Sequence, residues 1–171
     1  AMVKIQEGCN QVCAYCIVPK VRGRERSVPL NQMVKEVNQR VREGYSEIVL
    51  TGTQLGSYGF DLPDATLATL IRTLLSETKV PRLRISSLQP QEITSDLLEL
   101  WEDPRLCPHF HVPLQSGSNT ILSRMGRRYT SEQYVQSVTN ILRMLPDAAI
   151  TTDVLVGFPG ESSSEHDESL S

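Results

Sequence analysis

Apolar residues recur along this chain in two alternating rhythms, one helical and one of strands. Val3-Lys4-Ile5 reads as a short strand, and residues 7–29 then form a long loop punctuated by Pro19, Gly23 and Pro29. Leu30, Met33, Val34, Val37 and Val41 fall at helical spacing, with Gly44 placed to end the helix. Residues 47–51 read as a buried strand. Leu67, Leu70, Ile71, Leu74 and Leu75 predict a second helix, with Asp64 as its candidate cap. Residues 82–86 alternate as a strand does; Leu97, Leu98 and Trp101 mark a third helix; residues 110–112 make a fourth strand. A short helix around Ile121 and Met125 precedes a long one through Tyr134, Val138, Ile141, Leu142 and Leu145. Thr130 with Gln133 reads as a capping box at its start. Residues 149–156, rich in β-branched and apolar side chains, predict a fifth strand, and Ser162 with Glu165 caps one more helix.

Such alternation argues for parallel strands joined by helical crossovers. An open doubly wound sheet and a partial barrel both satisfy the pattern. In either, ligands gather at the carboxyl ends of the strands. Polar, Gly and Pro residues cluster there: Thr51-Gly52-Thr53-Gln54, Ser86-Ser87, Pro113 to Gly117, and Gly157 to Glu161.

Composition adds bounds rather than chemistry. With 171 residues, 39% hydrophobic and 22% charged, the chain has the size of one domain and apolar material enough for a core without disulfides. No apolar run suits a membrane span and no signal segment opens the chain, so a cytoplasmic location and no membrane partner are expected. A net charge of −3 gives no global attraction to nucleic acid. Any RNA contact must use a local patch, and Lys20, Arg22, Arg24 and Arg26 supply one, interrupted by Glu25.

The stretch EGCNQVCAYC changes the picture. Three of the four cysteines, Cys9, Cys13 and Cys16, fall within it. A structural zinc site wants four ligands, and the remaining candidates, Cys107, His109 and His111, lie on the fourth strand. A redox pair of Cys13 and Cys16 leaves Cys9 unexplained. An iron–sulfur cluster held by three thiolates accounts for the trio and leaves one iron open to a non-protein ligand. His109 and His111 share a strand face and read as lining or core; Cys107 reads as a small buried hydrophobe.

Cys9, Cys13, Tyr15 and Cys16, as Cys-x-x-x-Cys-x-aromatic-Cys, resemble the signature of the radical S-adenosylmethionine (SAM) enzymes. That resemblance implies a partial (βα)6 TIM-like barrel, of which about five βα units are present. It also implies a [4Fe-4S] cluster on Cys9, Cys13 and Cys16, with SAM chelated at the unique iron and cleaved by one electron to a 5′-deoxyadenosyl radical. SAM contacts are then expected from Tyr15, Thr51, Gly52, Ser86, Ser87, Gln115, Arg127 and Gly157, with no catalytic residue beyond the cluster ligands. The stretches EIVLTGTQLGSYG, RLRISSLQPQEI, HFHVPLQSGSNTILSRMGRRYT and TTDVLVGFPGES resemble the methylthiotransferase group. They are most similar to the MtaB-like branch, which acts on N6-threonylcarbamoyladenosine beside the tRNA anticodon. The isopentenyladenosine and ribosomal-protein branches share the skeleton, and a non-catalytic zinc or dithiol module is the alternative outside the family.

In such enzymes a preceding domain holds a second [4Fe-4S] cluster and a following β-domain binds RNA. Residues 1–171 are therefore expected to be a radical SAM core ending before the last βα unit, without those two domains. Such a core would bind the first cluster and SAM but not complete methylthiolation alone. The resemblance further implies the tRNA anticodon stem-loop as partner of the whole enzyme, an electron donor such as flavodoxin or ferredoxin, and a monomer.

Overall fold

A computed structural model describes residues 1–170. Its strands are short, and their hydrogen bonds set the architecture. Strand β1 (Met2–Lys4) is followed by the two-residue β2 (Gln6–Glu7), helix α1 (Val18–Val21), β3 (Arg26–Ser27), α2 (Leu30–Arg42), β4 (Ile48–Thr51), α3 (Leu67–Glu77) and β5 (Leu83–Ile85). Then come α4 (Ser95–Leu98), β6 (His109–His111), α5 (Asn119–Arg124), α6 (Ser131–Met144), β7 (Ala149–Thr151) and α7 (Ser163–Asp167).

β1 pairs parallel with β4 (Val3 opposite Leu50), and β4 with β5 (Leu50 opposite Ile85). β6 pairs parallel with β7 (Phe110 opposite Ile150). Single parallel bridges, Leu83 to Leu106 and Ser87 to His111, join the two groups. The order β1-β4-β5-β6-β7 keeps chain neighbours beside one another, with helical crossovers between them, as in a βα barrel wall. Both alternatives left by the sequence are thereby narrowed to the partial barrel.

One face of each strand enters the core. Val3, Ile5, Ile48, Leu50, Leu83, Ile85 and Phe110 are buried against Met33 and Val37 of α2 and Leu70, Ile71 and Leu74 of α3. These are the residues whose spacing predicted the helices. Trp101 fixes the lower end: its indole N–H donates to Cys107 O at 2.7 Å and its ring centroid lies 4.5 Å from that of Phe110. Among the described residues no helix is long and apolar enough to cross a membrane.

Local chemistry sets the helix ends. Gly44 adopts φ +90° after α2, and the Tyr45 N–H bonds Arg40 O while Gly44 N–H bonds Val41 O, the paired bonds of a Schellman stop. The capping boxes expected at Thr130/Gln133 and Ser162/Glu165 form. Asp64 does not cap α3. It sits at φ +54°, and Thr66 caps instead, accepting from the Thr69 N–H. The expected loop at 7–29 contains α1 and an antiparallel clip in which β2 pairs with β3. The fifth strand is shorter than expected: regular pairing stops at Thr151, and a lone bridge from Val154 to Gln115 continues it.

Candidate cluster and cofactor chamber

The β2–β3 clip closes a loop that carries all three clustered cysteines to the carboxyl ends of the parallel strands. Gly8 enters it at φ +78°, pressed against the backbone carbonyl of Arg24, so a Cβ there would collide. Cys9 N–H bonds Gly23 O at 3.1 Å, and Ala14 N–H bonds Met125 O at 2.9 Å, docking the loop onto the turn after α5. Cys16 N–H bonds Cys13 O at 3.1 Å, folding the last two cysteines into one turn.

Cys9, Cys13 and Cys16 all line one cavity of about 190 Å³. Its other walls come from successive strand ends: Thr53 and Gln54 after β4, Ser87 and Gln89 after β5, Pro113 and Gln115 after β6. Arg127 closes it from the turn between α5 and α6. Among the described residues no three Cys, His, Asp or Glu side chains converge as they would on one metal ion. Three soft thiols lining one cavity are the donor set that an iron–sulfur centre takes. The donor set therefore fits the cluster that the sequence pattern implies.

The expected cofactor residues divide. Tyr15 and Gln115 meet: the phenol donates to Gln115 Oε1 at 2.9 Å, and burial pushes the Tyr15 hydroxyl above its ordinary pKa. Gln115 holds φ +67°, a backbone conformation that costs a non-glycine residue of the order of 1–3 kcal/mol and is seen mostly at functional sites. Arg127 is half-buried; its Nε donates to the Tyr129 hydroxyl at 3.0 Å, its guanidinium stacks 5.0 Å from that ring, and Nη1 lies 3.6 Å from Cys13 Sγ. Ser87 is on the wall. Thr51 and Gly52 instead line a neighbouring cavity of about 270 Å³ with Lys4, Glu7 and Arg22. Gly52 is tight there, since a Cβ would lie 2.9 Å from Gln6 O. Ser86, whose N–H bonds Leu50 O, and Gly157, whose N–H bonds Glu161 Oε2 at 2.6 Å in an open turn, are not on the chamber wall.

A buried amide network was not singled out from the sequence. Gln11 and Gln89 exchange hydrogen bonds at 3.3–3.4 Å, and Gln89 Nε2 donates to Gln54 Oε1 at 2.7 Å. Gln54 Nε2 and the Gln89 N–H, the latter at 2.9 Å, donate to Glu92, whose carboxyl is pushed up by burial. Gln6 accepts from the Thr53 and Gln54 N–H groups at 3.0 and 2.9 Å. The network ties the cysteine loop to the ends of β4 and β5. Its only trace in the sequence is a glutamine just past each of those strands.

His109 and His111 share a strand face, as expected, and bond to β7: His111 Nε2 lies 3.1 Å from Asp153 Oδ2 and Nδ1 3.0 Å from Thr151 Oγ1. Asp153, the partner of His111, is exposed. Cys107 is buried, 3.9 Å from Glu47. The basic run is partly neutralised, with Arg22 at 3.2 Å and Arg26 at 3.9 Å from Glu7, which Lys4 also contacts at 3.1 Å.

A parallel βα wall with three thiols and a polar chamber at its strand ends defines a cofactor-dependent α/β enzyme core. The chain belongs to the radical SAM superfamily, whose family model matches residues 3–171. It is 44% identical over 172 residues to the tRNA-2-methylthio-N(6)-dimethylallyladenosine synthase of Clostridium tetani, covering 99% of this chain and 38% of that protein. It is also 44% identical over 167 residues to the threonylcarbamoyladenosine tRNA methylthiotransferase MtaB of Bacillus subtilis, covering 96% of this chain and 37% of that protein. The chain thus spans under two-fifths of the length of these relatives. In fold it resembles the cobalamin-dependent SAM radical enzyme OxsB with aqua-cobalamin bound (TM-score 0.78, 17% identity, 99% of this chain and 25% of that one). It also resembles the radical SAM methyltransferase TsrM from Kitasatospora setae (TM-score 0.71, 20% identity, 96% and 32%).

Proposed function

We propose that this chain is the radical SAM core of a tRNA methylthiotransferase, with N6-threonylcarbamoyladenosine beside the anticodon as the modified base. The observation that carries the reading is that Cys9, Cys13 and Cys16 line one chamber at the carboxyl ends of the parallel strands. Similarity to methylthiotransferases over nearly the whole chain supports the reaction class. The motifs VLTGTQLGSYG and ITTDVLVGFPGE support the threonylcarbamoyl branch.

Cys9, Cys13 and Cys16 would hold a [4Fe-4S] cluster, and Tyr15, Ser87, Gln115 and Arg127 would face SAM. Bound there, the pair supplies one-electron chemistry able to break an unreactive C–H bond. The chain's own residues do the positioning. The Arg127 guanidinium lies beside Cys13 and offers charged N–H donors to a carboxylate. Gln115, fixed by Tyr15, places an amide at the mouth. The glutamine network holds the cysteine loop against the strand ends. Thr51, Gly52, Ser86 and Gly157 remain proposed contacts for SAM groups that extend beyond the chamber. The single cysteine left over, Cys107, is buried and cannot hold a second cluster, so sulfur insertion is assigned to the longer protein. A tRNA partner, an electron donor of the flavodoxin or ferredoxin kind, a monomeric state and a cytoplasmic setting complete the proposal.

Anaerobic reconstitution with iron and sulfide tests it: about four irons per chain, a brown colour, and 5′-deoxyadenosine on reduction with SAM are expected. A colourless, zinc-loaded chain that leaves SAM intact overturns it. Mass spectrometry of tRNA from a strain lacking the gene separates the branches, since loss of methylthio from threonylcarbamoyladenosine alone is the expected outcome.

A further inference from the structure

A second cavity of about 430 Å³ lies outside the chamber and shares Gln11, Gln54 and Glu92 with it. Its outer wall carries Phe60, Arg128 and Glu25. Phe60 is 73% exposed, far more than Tyr15 or Tyr45. A lone exposed apolar residue means little by itself, but this one is held in place. Its N–H bonds Ser57 O at 3.0 Å, and the next turn closes with Leu62 N–H on Gly59 O at 2.9 Å. On either side, Tyr58 is buried with its hydroxyl on Val28 O at 2.6 Å, and Asp61 accepts from the Ser27 N–H at 3.1 Å. Burial pushes the Tyr58 hydroxyl to about 12, so it remains a donor. Gly59 sits at φ +90°, packed on the Ala65 carbonyl with no room for a Cβ. The ring is thus presented to solvent by a pinned turn. Arg128 is exposed and makes no ion pair or hydrogen bond among the described residues. Glu25 is occupied by Asn10, accepting from its N–H at 3.1 Å and its Nδ2 at 3.4 Å.

A rigid exposed aromatic, an unpaired guanidinium and an amide-lined cavity of this size are the parts of a single-stranded nucleotide site. The ring stacks a base at little entropic cost, and the cation meets the backbone. Glu25 repels phosphate and so leaves the Arg128 end for it. We propose that Phe60 and Arg128 form a stacking subsite for an RNA loop nucleotide flanking the one that enters the chamber. The proposal rests on the tRNA reading and adds to it where on this chain the neighbouring base is held.

The test uses the cluster-loaded chain and a synthetic RNA stem-loop with 5-iodouracil in the loop. The expected photocrosslink maps to the peptide containing Phe60. Phe60→Ala weakens stem-loop binding roughly 5- to 100-fold, Phe60→Trp retains it, and Arg128→Gln lowers the slope of log K against log salt by about one. Thermal midpoints unchanged from wild type keep folding out of the comparison, because both side chains are exposed. Crosslinks elsewhere on the chain, with Phe60→Ala binding as tightly as wild type, overturn the subsite and leave the tRNA reading standing. No crosslink and no binding at any residue also overturns the subsite, while the methylthio analysis of tRNA from the deletion strain tests the tRNA reading separately.

Discussion

Cys13 and Arg127 are 114 positions apart in the chain and lie 3.6 Å apart in space, yet the sequence marks each for a different reason. The cysteine belongs to a short spaced motif. The arginine is one of two adjacent, Arg127 and Arg128; the resemblance singles out Arg127, and in the fold it turns into the chamber onto Tyr129 while Arg128 turns to solvent. Cys13→Ser is expected to abolish the visible absorption of the reconstituted chain while the urea midpoint stays close to wild type, since the side chain is only partly buried. Arg127→Lys keeps the charge but loses the planar fork. A lost charged hydrogen bond costs about 1.5–3 kcal/mol, so SAM affinity measured by calorimetry on the cluster-loaded chain falls about tenfold or more.

At the scale of the element, the cysteine loop depends on a two-residue clip. β2 and β3 pair only over Gln6–Ser27 and Glu7–Arg26, and Gly8 passes under Arg24 at positive φ. Gly8→Ala is expected to open the clip and reduce iron bound after reconstitution several-fold, while the helices keep their far-UV circular dichroism. Helix α3 behaves differently. Leu74 is fully buried between α3 and the sheet, and Leu74→Ala costs about 2–5 kcal/mol, read as a lower urea midpoint at unchanged slope. The helices were legible because their apolar stripes face a continuous core. The cap of α3 was not: Asp64 and Thr66 are both good capping residues, and the turn after Gly59 decides which one reaches the first free N–H. Strand β7 was over-read because its β-branched run continues past Thr151, where the backbone turns from regular pairing to a lone bridge.

For the molecule as a whole, stability against pH has two limbs. Hydrogen bonding from Arg84, and then Arg82, holds Glu47 below its ordinary value of 4.5, and Arg105 does the same for Asp103. Glu132, bonded by Thr130, its own backbone and Asn119, is pushed down to about 2. For such groups the unfolded chain binds protons more readily, so their contribution is complete above about 4.5 and is lost as pH falls through the lower folded values. Glu47→Gln is expected to flatten that acid limb in urea midpoints taken across pH. Glu92 has the opposite sign. Burial raises its carboxyl, the folded chain holds the proton more tightly, and stability declines as pH rises from 4.5 through the raised value. Glu92→Gln should flatten that upper limb, and an unchanged slope would count against a buried ionising carboxyl there.

The sequence by itself determined the alternation of strand and helix, the apolar faces, the capping boxes at Thr130 and Ser162, and the trio of cysteines. Each is a local pattern, fixed by side-chain period or by spacing within a few residues. Periodicity left an open sheet and a partial barrel equal, and the strand pairing bears out the barrel wall that the cysteine motif's resemblance implied. Only the tertiary structure decided that Gln11, Gln54, Gln89 and Glu92 form the chamber's buried hydrogen-bonded side. It alone set Thr51, Gly52, Ser86 and Gly157 off that wall, and left Phe60 exposed beside it. Those outcomes depend on groups far apart in the chain meeting at strand ends, where burial and hydrogen bonding are settled by the neighbours that folding brings and by no periodicity in the sequence.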